Sequence, residues 1–328
     1  MKPDITIILV NWNTRDLLDN CLHSIACNNG PVKAQTIVVD NASVDGSAGM
    51  VRSMYPGTQL IESGANIGFG RANNLAIPMA DAPFLLFLNP DTSLLQDTLD
   101  MLLAFMKNNP DVGALGCKMK SPPGTDLPDA AAHELGFQWF PSPLTEFLSM
   151  LFVSAKTMPL ITRLFPYMKP SESGYVVKLY GGCLMVRKEV FGEVDYFDER
   201  FFMYGEDVDL CRRITQAGWK LYYMSEAEII HVAGAASRKA SSHFPVLMKC
   251  ESISKFIEKY HGRTAAVAYR GVVLIGSCVR LTLLFAWTAL SRLKMPRSQA
   301  DSGVSRSKYV AMLKWSIGLQ KPLIKEVR

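Results

Sequence analysis

The sequence predicts an α/β fold: a mainly parallel sheet flanked by helices, with a basic helical tail behind it. Three observations carry this. Short apolar runs alternate with stretches of helical spacing. Each early run stops at polar residues, as strands do where an open α/β sheet collects its functional groups. The charge is also divided. Residues 1–237 hold 18 Lys+Arg and 26 Asp+Glu, and residues 238–328 hold 17 and 4, so a body of −8 precedes a tail of +13.

The elements follow in order. Residues 5–10 are apolar and stop at Asn11-Trp12-Asn13. Residues 14–27 place Leu17, Leu18, Cys21, Leu22 and Ile25 at helical spacing. Residues 36–39 form a second strand ending at Asp40-Asn41-Ala42-Ser43, and 47–55 a second helix. A polar stretch then leads to Asn74. Residues 84–88 form a fully apolar strand before Asn89-Pro90-Asp91. Leu94, Leu95, Leu99, Leu102 and Leu103 predict one helix over 92–107, and 112–119 another strand. Residues 120–175 are rich in Pro and Ser and hold Trp139-Phe140-Pro141, so they read as a helical insertion or lid without sheet elements. Regular α/β signals resume over 176–186 and run to His231. The domain reading is therefore a catalytic body, 1–240, and a tail, 241–328.

Composition excludes several classes. With 48% hydrophobic and 20% charged residues, the chain is neither disordered nor a small disulfide scaffold. The seven cysteines are odd in number and form no C-x-x-C pair, which predicts reduced thiols, a cytosolic setting and no zinc ribbon. The first apolar run is too short for a signal-peptide core. A mean hydropathy of +0.10 is high for a freely soluble enzyme. Residues 242–261 predict an amphipathic helix. Residues 265–290 are apolar but interrupted by Arg270 and Arg280. On a helical wheel Arg270, Ser277, Arg280, Thr288 and Ser291 share one arc of roughly a quarter turn. That favours a helix in a membrane interface, with Trp287 and the Lys/Arg residues as anchors, over a packed helix or a span. The interleaved Leu, Ile, Val and Trp suit an anionic lipid surface, and no nucleic acid is expected as partner.

Five stretches carry candidate chemistry. Asp40, at a strand end, can bond a base or ribose, while Asp45 or Ser43 can cap the next helix. Asn66-Ile67-Gly68-Phe69-Gly70-Arg71 contains Gly-x-Gly, but Asn73 replaces the third glycine and the match comes after two strands, not after the first, so it is not a dinucleotide fingerprint. Asp91 is a hard oxygen ligand suited to Mg²⁺ or Mn²⁺ on a diphosphate, or a helix cap. Glu206-Asp207 opens a helix and is a good place for a general base, whereas Asp209 pairs with Arg212 or Arg213. His231 ends a strand before a small-residue loop, 232–239, that could close over a diphosphate.

Taken together, these stretches resemble bacterial members of glycosyltransferase family 2, nearest to a rhamnosyltransferase-like subgroup that includes galactofuranosyltransferases. The residues are Val10-Asn11-Trp12-Asn13, Val39-Asp40-Asn41-Ala42-Ser43, Asn66-Ile67-Gly68-Phe69, Asn89-Pro90-Asp91, Gly181-Gly182-Cys183-Leu184-Met185-Val186-Arg187, Gly205-Glu206-Asp207-Val208-Asp209-Leu210 and His231. The resemblance implies a GT-A fold, a nucleotide-diphosphate sugar donor, a divalent cation and inversion at the anomeric carbon. It implies that Asn11, Asn13, Asp40, Asn66, Arg71 and Asn89 lie along the donor. Asp91 matches the last residue of the family's Asp-x-Asp motif, with Asn89 in place of the first, and His231 is the second metal ligand. Asp207, beside Glu206, is the catalytic base. Gly181, Gly182 and Trp139 face the acceptor. The implied function is transfer of a sugar, foremost rhamnose from dTDP-rhamnose, to a lipid-linked or polysaccharide acceptor of the bacterial cell surface. The setting is the inner face of the plasma membrane. A UDP-sugar donor, a glycoside hydrolase using Asp91 and Asp207, a nucleotidyltransferase and a non-catalytic nucleotide-sugar binder are the competing readings.

Overall fold

The computed structural model describes residues 2–28, 30–124, 136–151, 167–169, 171–232, 243–292 and 300–322. Its elements run β1 (Ile5–Asn11), α1 (Arg15–Ala26), β2 (Ala34–Asp40), α2 (Ser47–Met54), β3 (Gln59–Glu62), α3 (Phe69–Ala76), β4 (Phe84–Leu88), β5 (Thr92–Leu94), α4 (Thr98–Asn108) and β6 (Val112–Lys120). Then come β7 (Gly136–Phe137), α5 (Pro143–Leu151), β8 (Tyr167–Met168), β9 (Gly174–Val176), β10 (Cys183–Arg187), α6 (Phe191–Val194), α7 (Glu206–Gln216) and β11 (Lys220–His231). The tail holds α8 (Phe244–His261), α9 (Arg263–Arg292) and α10 (Ala300–Ser316).

Among the described residues, the main sheet is ordered β3-β2-β1-β4-β10-β6-β11-β5, with β9 on β11. The first four strands are parallel, as expected for strands alternating with helices. β10 runs antiparallel to both β4 and β6, and β6 is parallel to β11. The sheet is therefore mixed. β1 is buried along its whole length because helices cover both faces. Its Ile5, Ile7 and Leu9 meet α1, α2 and α4, while Ile8 and Val10 meet α3, α6 and α7. The pleat's period of two divides one apolar run between two cores.

The structure corrects several readings. Residues 92–107 are not one helix. Thr92–Leu94 is a strand antiparallel to β11, and the helix starts at Thr98, behind Asp97 in left-handed backbone. Asp91 therefore caps no helix. The stretch 120–175 is not free of sheet, since β9 joins β11 and β7 pairs with β8; residues 125–135 and 152–166 lie outside the described residues. The polar stretch before Asn74 holds both β3 and α3. Neither Asp45 nor Ser43 is the N-cap of α2, which is Gly46 in left-handed backbone; Asp45 Oδ1 accepts from Ser47 N–H at 3.1 Å. All seven cysteines are free thiols, and burial pushes Cys21, Cys211 and Cys250 up to about 12, which leaves them unreactive.

The chain divides into two compact units. One comprises Met1–Phe140 and Thr162–Lys239, the other Pro141–Ile161 and Ala240–Val327. In the second, α8, α9 and α10 share a core of Leu247, Cys250, Ile257, Tyr269, Val273 and Trp315. α5 packs on α9 within this unit, so part of the insertion belongs with the tail.

In the first unit, Asp209 is fully buried and accepts from Arg213 Nε at 2.8 Å. Arg213 also donates to the carbonyls of Val194 and Asp195, tying α7 to the segment after α6. Removing one partner of a buried pair leaves the other charge uncompensated. Asp209→Ala should lower unfolding stability by about 3 kcal/mol in urea titrations. A midpoint equal to wild type would deny the pair that role.

Candidate active site

The site is assembled at the carboxyl ends of β1, β2 and β4. Asn11 and Asp40 close their strands as direct partners in the ladder. Asn11 Nδ2 donates to Asp40 Oδ1 at 3.1 Å and to Ser43 Oγ at 3.0 Å, and Thr14 Oγ1 donates to Asn11 Oδ1 at 2.7 Å. Asp40 Oδ2 accepts from Ser43 N–H at 2.9 Å. Asn13, in left-handed backbone, donates its N–H to Ser43 Oγ and accepts from Val44 N–H at 2.7 Å. Asn66 Oδ1 accepts from Asn41 Nδ2 at 2.9 Å and from Gly68 N–H at 3.1 Å. Asn11, Asp40 and Asn66 thus belong to one buried polar network joined through Asn41 and Ser43. Sequence reasoning did not single out Asn41; its signal is its place between a strand-ending Asp and a turn-forming Ser. Arg71 stands apart from the network, exposed on α3 and paired with Glu199 at 3.4 Å.

The two glycines of Gly68-Phe69-Gly70 serve packing. Gly68 has φ +90°, and a Cβ there would stand 2.4 Å from the Phe202 carbonyl oxygen. Phe69 N–H donates to that same oxygen at 2.8 Å. A Cβ on Gly70 would meet Phe197 at 3.1 Å and Glu206 at 3.5 Å. The motif is a seat for the segment that delivers Glu206 and Asp207. Asn74 holds the same segment, donating to Phe197 O at 2.8 Å and accepting from Phe197 N–H at 3.0 Å. Phe197 stacks edge-on against Phe87 of β4, with centroids 5.0 Å apart.

The two acids at the start of α7 occupy different surroundings. Asp207 Oδ2 accepts from Gly181 N–H at 3.0 Å and Oδ1 from Val208 N–H at 2.8 Å. Burial raises its pKa, and these N–H groups oppose the rise by stabilising the carboxylate. Glu206 is buried, and its Oε2 has no hydrogen-bond partner among the described residues. Burial first, then the charge of Asp207, push its pKa well up. The pair is therefore unequal: backbone N–H groups stabilise the charge of Asp207, and no such donor reaches Glu206 Oε2 among the described residues.

Asp91 and His231 come together although they are far apart in the chain. Asp91 precedes β5 and His231 ends β11, and Thr92 pairs with His231 in that ladder. Asp91 Oδ1 lies 3.2 Å from His231 Nε2, with both side chains buried. Val232 N–H donates to Asp91 O at 2.9 Å; residues 233–239, the expected closing loop, lie outside the described residues. Among the described residues no group of three His, Cys, Asp or Glu side chains forms a metal cluster. A carboxylate and an imidazole still fit Mg²⁺ or Mn²⁺, whose remaining positions suit diphosphate oxygens and water.

Gly181 and Gly182 link the two groups. Gly181 N–H holds Asp207. Gly182 O accepts from Asn89 N–H at 3.0 Å, and a Cβ on Gly182 would meet Met119 Sδ at 2.8 Å and stand 3.6 Å from both Asn89 Nδ2 and His231 Cε1. One glycine pair thus separates the Asp207 carboxylate from the Asp91–His231 pair. Trp139 is half-buried between Gln138, whose Oε1 accepts from Val177 N–H at 3.2 Å, and Phe140, whose ring lies 5.4 Å from the Arg212 guanidinium.

Comparison with known proteins agrees with this geometry. The model of the family described as "Glycosyltransferase like family 2" matches residues 3–249. The chain belongs to this family. It is a glycosyltransferase, and its mixed sheet with flanking helices is the GT-A fold. Over 267 residues it is 32% identical to N-acetylglucosaminyl-diphospho-decaprenol L-rhamnosyltransferase of Mycobacterium tuberculosis, covering 74% of this chain and 81% of that one. It is 26% identical over 240 residues to rhamnosyltransferase WbbL of Escherichia coli, covering 70% and 83%. In fold it is similar to the mannosyltransferase PcManGT of Pyrobaculum calidifontis, solved with GDP-Man and Mn²⁺, at a TM-score of 0.53 and 14% identity, covering 97% of this chain and 87% of that one.

The raised pKa of Glu206 fixes the sign of a pH effect. A carboxyl whose pKa is higher folded than unfolded favours the fold at low pH, and that contribution is lost as pH rises through the folded value. Glu206→Gln cannot ionise. Its melting temperature, relative to wild type, should therefore climb as pH rises from the ordinary carboxylate range through neutrality. A constant offset across that range would contradict the upward shift of the buried Glu206 carboxyl.

Proposed function

We propose that the enzyme transfers rhamnose from dTDP-rhamnose to a lipid-linked saccharide, with inversion, in cell-surface glycan synthesis at the cytoplasmic membrane face. One observation carries the chemistry: Asp207 and the Asp91–His231 pair stand on either side of Gly181-Gly182. The names of the relatives support the sugar and the lipid-diphosphate class of acceptor.

In this reading the nucleoside lies over the ends of β1 and β2, where Asn11, Asn13, Asp40 and Asn66 form the polar floor. Arg71, released from Glu199, reaches its outer edge. Asn89 borders the diphosphate. Asp91 and His231 hold a divalent cation, which when bound supplies positive charge to offset the charge gained by the departing diphosphate. Gly181 and Gly182 let the acceptor approach the backbone, with Trp139 offering an apolar flank. Asp207 takes the proton of the acceptor hydroxyl while that oxygen bonds to the anomeric carbon. The bond from that carbon to the diphosphate breaks on the opposite face. Burial opposes ionisation of Glu206, which disfavours a second negative charge beside the base.

Asp207→Asn should reduce transfer by about a hundredfold or more, the ordinary contribution of a general base, and leave donor-induced thermal stabilisation intact. Transfer near the wild-type rate would remove Asp207 as the base. Asp91→Ala and His231→Ala should each abolish the Mg²⁺- or Mn²⁺-dependent part of that stabilisation. In a nucleotide-sugar panel, dTDP-rhamnose should give the largest shift. A larger shift with a UDP- or GDP-sugar would overturn the donor and leave the family intact.

A further inference from the structure

The structure assigns the outer face of α9 to a bilayer: we propose that it beds into the surface of an anionic phospholipid membrane, lying flat rather than crossing it. Residues 263–288 form a helix long and apolar enough to span. Its exposed face is apolar. Val267, Ile275, Val279, Leu283 and Trp287 recur at multiples of four residues and are 50–71% exposed. Phe285, 62% exposed, lies at the opposite edge of this face from Leu283 and Trp287, toward α10.

The charges point the other way. Between residues 264 and 291 the only charged residues are Arg270 and Arg280. The Arg270 guanidinium lies 4.8 Å from the Trp315 ring centroid. Arg280 donates to Met150 O at 2.7 Å and to Tyr309 Oη at 3.4 Å. A helix against water puts its cations outward and its apolar face inward. Here that order is reversed, as an apolar environment outside the helix requires.

Crossing is opposed by what lies behind the helix. Arg306 sits 5.0 Å from the Phe285 ring centroid, Arg280 5.9 Å from Tyr309, and Arg270 near Trp315. These contacts run α10 antiparallel along about 22 Å of α9, at 1.5 Å per residue. α10 exposes Lys308 and Lys314 over that length. A spanning α9 would carry both ammonium groups into hydrocarbon, which is costly. A flat α9 leaves them in the headgroups. Arg306 stacks on Phe285 and donates to Thr288 Oγ1 at 2.6 Å, placing a cation at the aromatic end, where side chains bridge lipid and water.

Charge selects lipid over a second copy. With 17 Lys+Arg against 4 Asp+Glu after residue 237, two such tails repel, whereas anionic headgroups attract each of them. Vesicle binding requires neither donor nor acceptor, so this inference stands or falls separately from the proposed reaction.

The test uses the full chain with phosphatidylcholine vesicles, with and without phosphatidylglycerol. Wild type should co-float with the anionic vesicles and be released by alkaline carbonate. Leu283→Glu and Trp287→Glu, both on the exposed face, should each weaken binding about tenfold or more with unchanged melting temperatures. Equal binding by the variants would overturn the assigned face. Retention through carbonate would overturn the flat orientation. Absence of vesicle binding, with a concentration-dependent dimer that these substitutions dissolve, would replace the membrane with a second copy.

Discussion

The hydrogen bond from Gly181 N–H to Asp207 Oδ2 is the contact on which the catalytic geometry depends. It joins the first turn of α7 to the approach of β10, two elements with no shared local signal. A backbone donor costs no side-chain entropy and does not itself titrate. It also favours the ionised form of the acid it holds. Gly182 then continues the same backbone to Asn89 and His231. The spacing between Asp207 and the Asp91–His231 pair is therefore set by peptide geometry, while side chains around them supply packing.

Much of the body was legible because its early strands are buried on both faces. A run such as residues 5–11 has no competing explanation once helices must cover it on each side. Asp40, Asp91 and His231 were visible as polar residues at the ends of apolar runs, and Asp207 at the opening of a helix. The misread elements are those whose identity is decided from far away. Thr92–Leu94 runs straight into Leu95, which stands four residues before Leu99, yet it pairs with Ile229–His231 and is a strand. β3 has only four residues and is half-buried, so its pattern is weak. The glycines at 68 and 70 announced a tight approach without naming what approaches. Phe202 and Glu206 come from a distant segment, and no local spacing encodes that meeting.

The two units solve opposite problems with the same residue types. In the body, polar side chains go inside and are satisfied by one another, as Asn11, Asp40, Asn41 and Asn66 are. In the tail, arginines also turn inward, but they find aromatic faces and a carbonyl instead of acids. A guanidinium tolerates such partners better than an ammonium because it is planar and weakly hydrated. The exposed lysines on α10 follow the contrary rule and stay at the surface.

The ladder between β5 and β11 has a consequence for biosynthesis. Its strands are separated by most of the body, so Asp91 acquires its histidine neighbour only after β11 has emerged and docked. A nascent chain can complete the β1–β2 floor early, from contacts close in sequence. The phosphate side waits for translation to pass His231. Half-made polypeptide can thus hold the Asn11–Asp40 contact while Asp91 still lacks its imidazole neighbour.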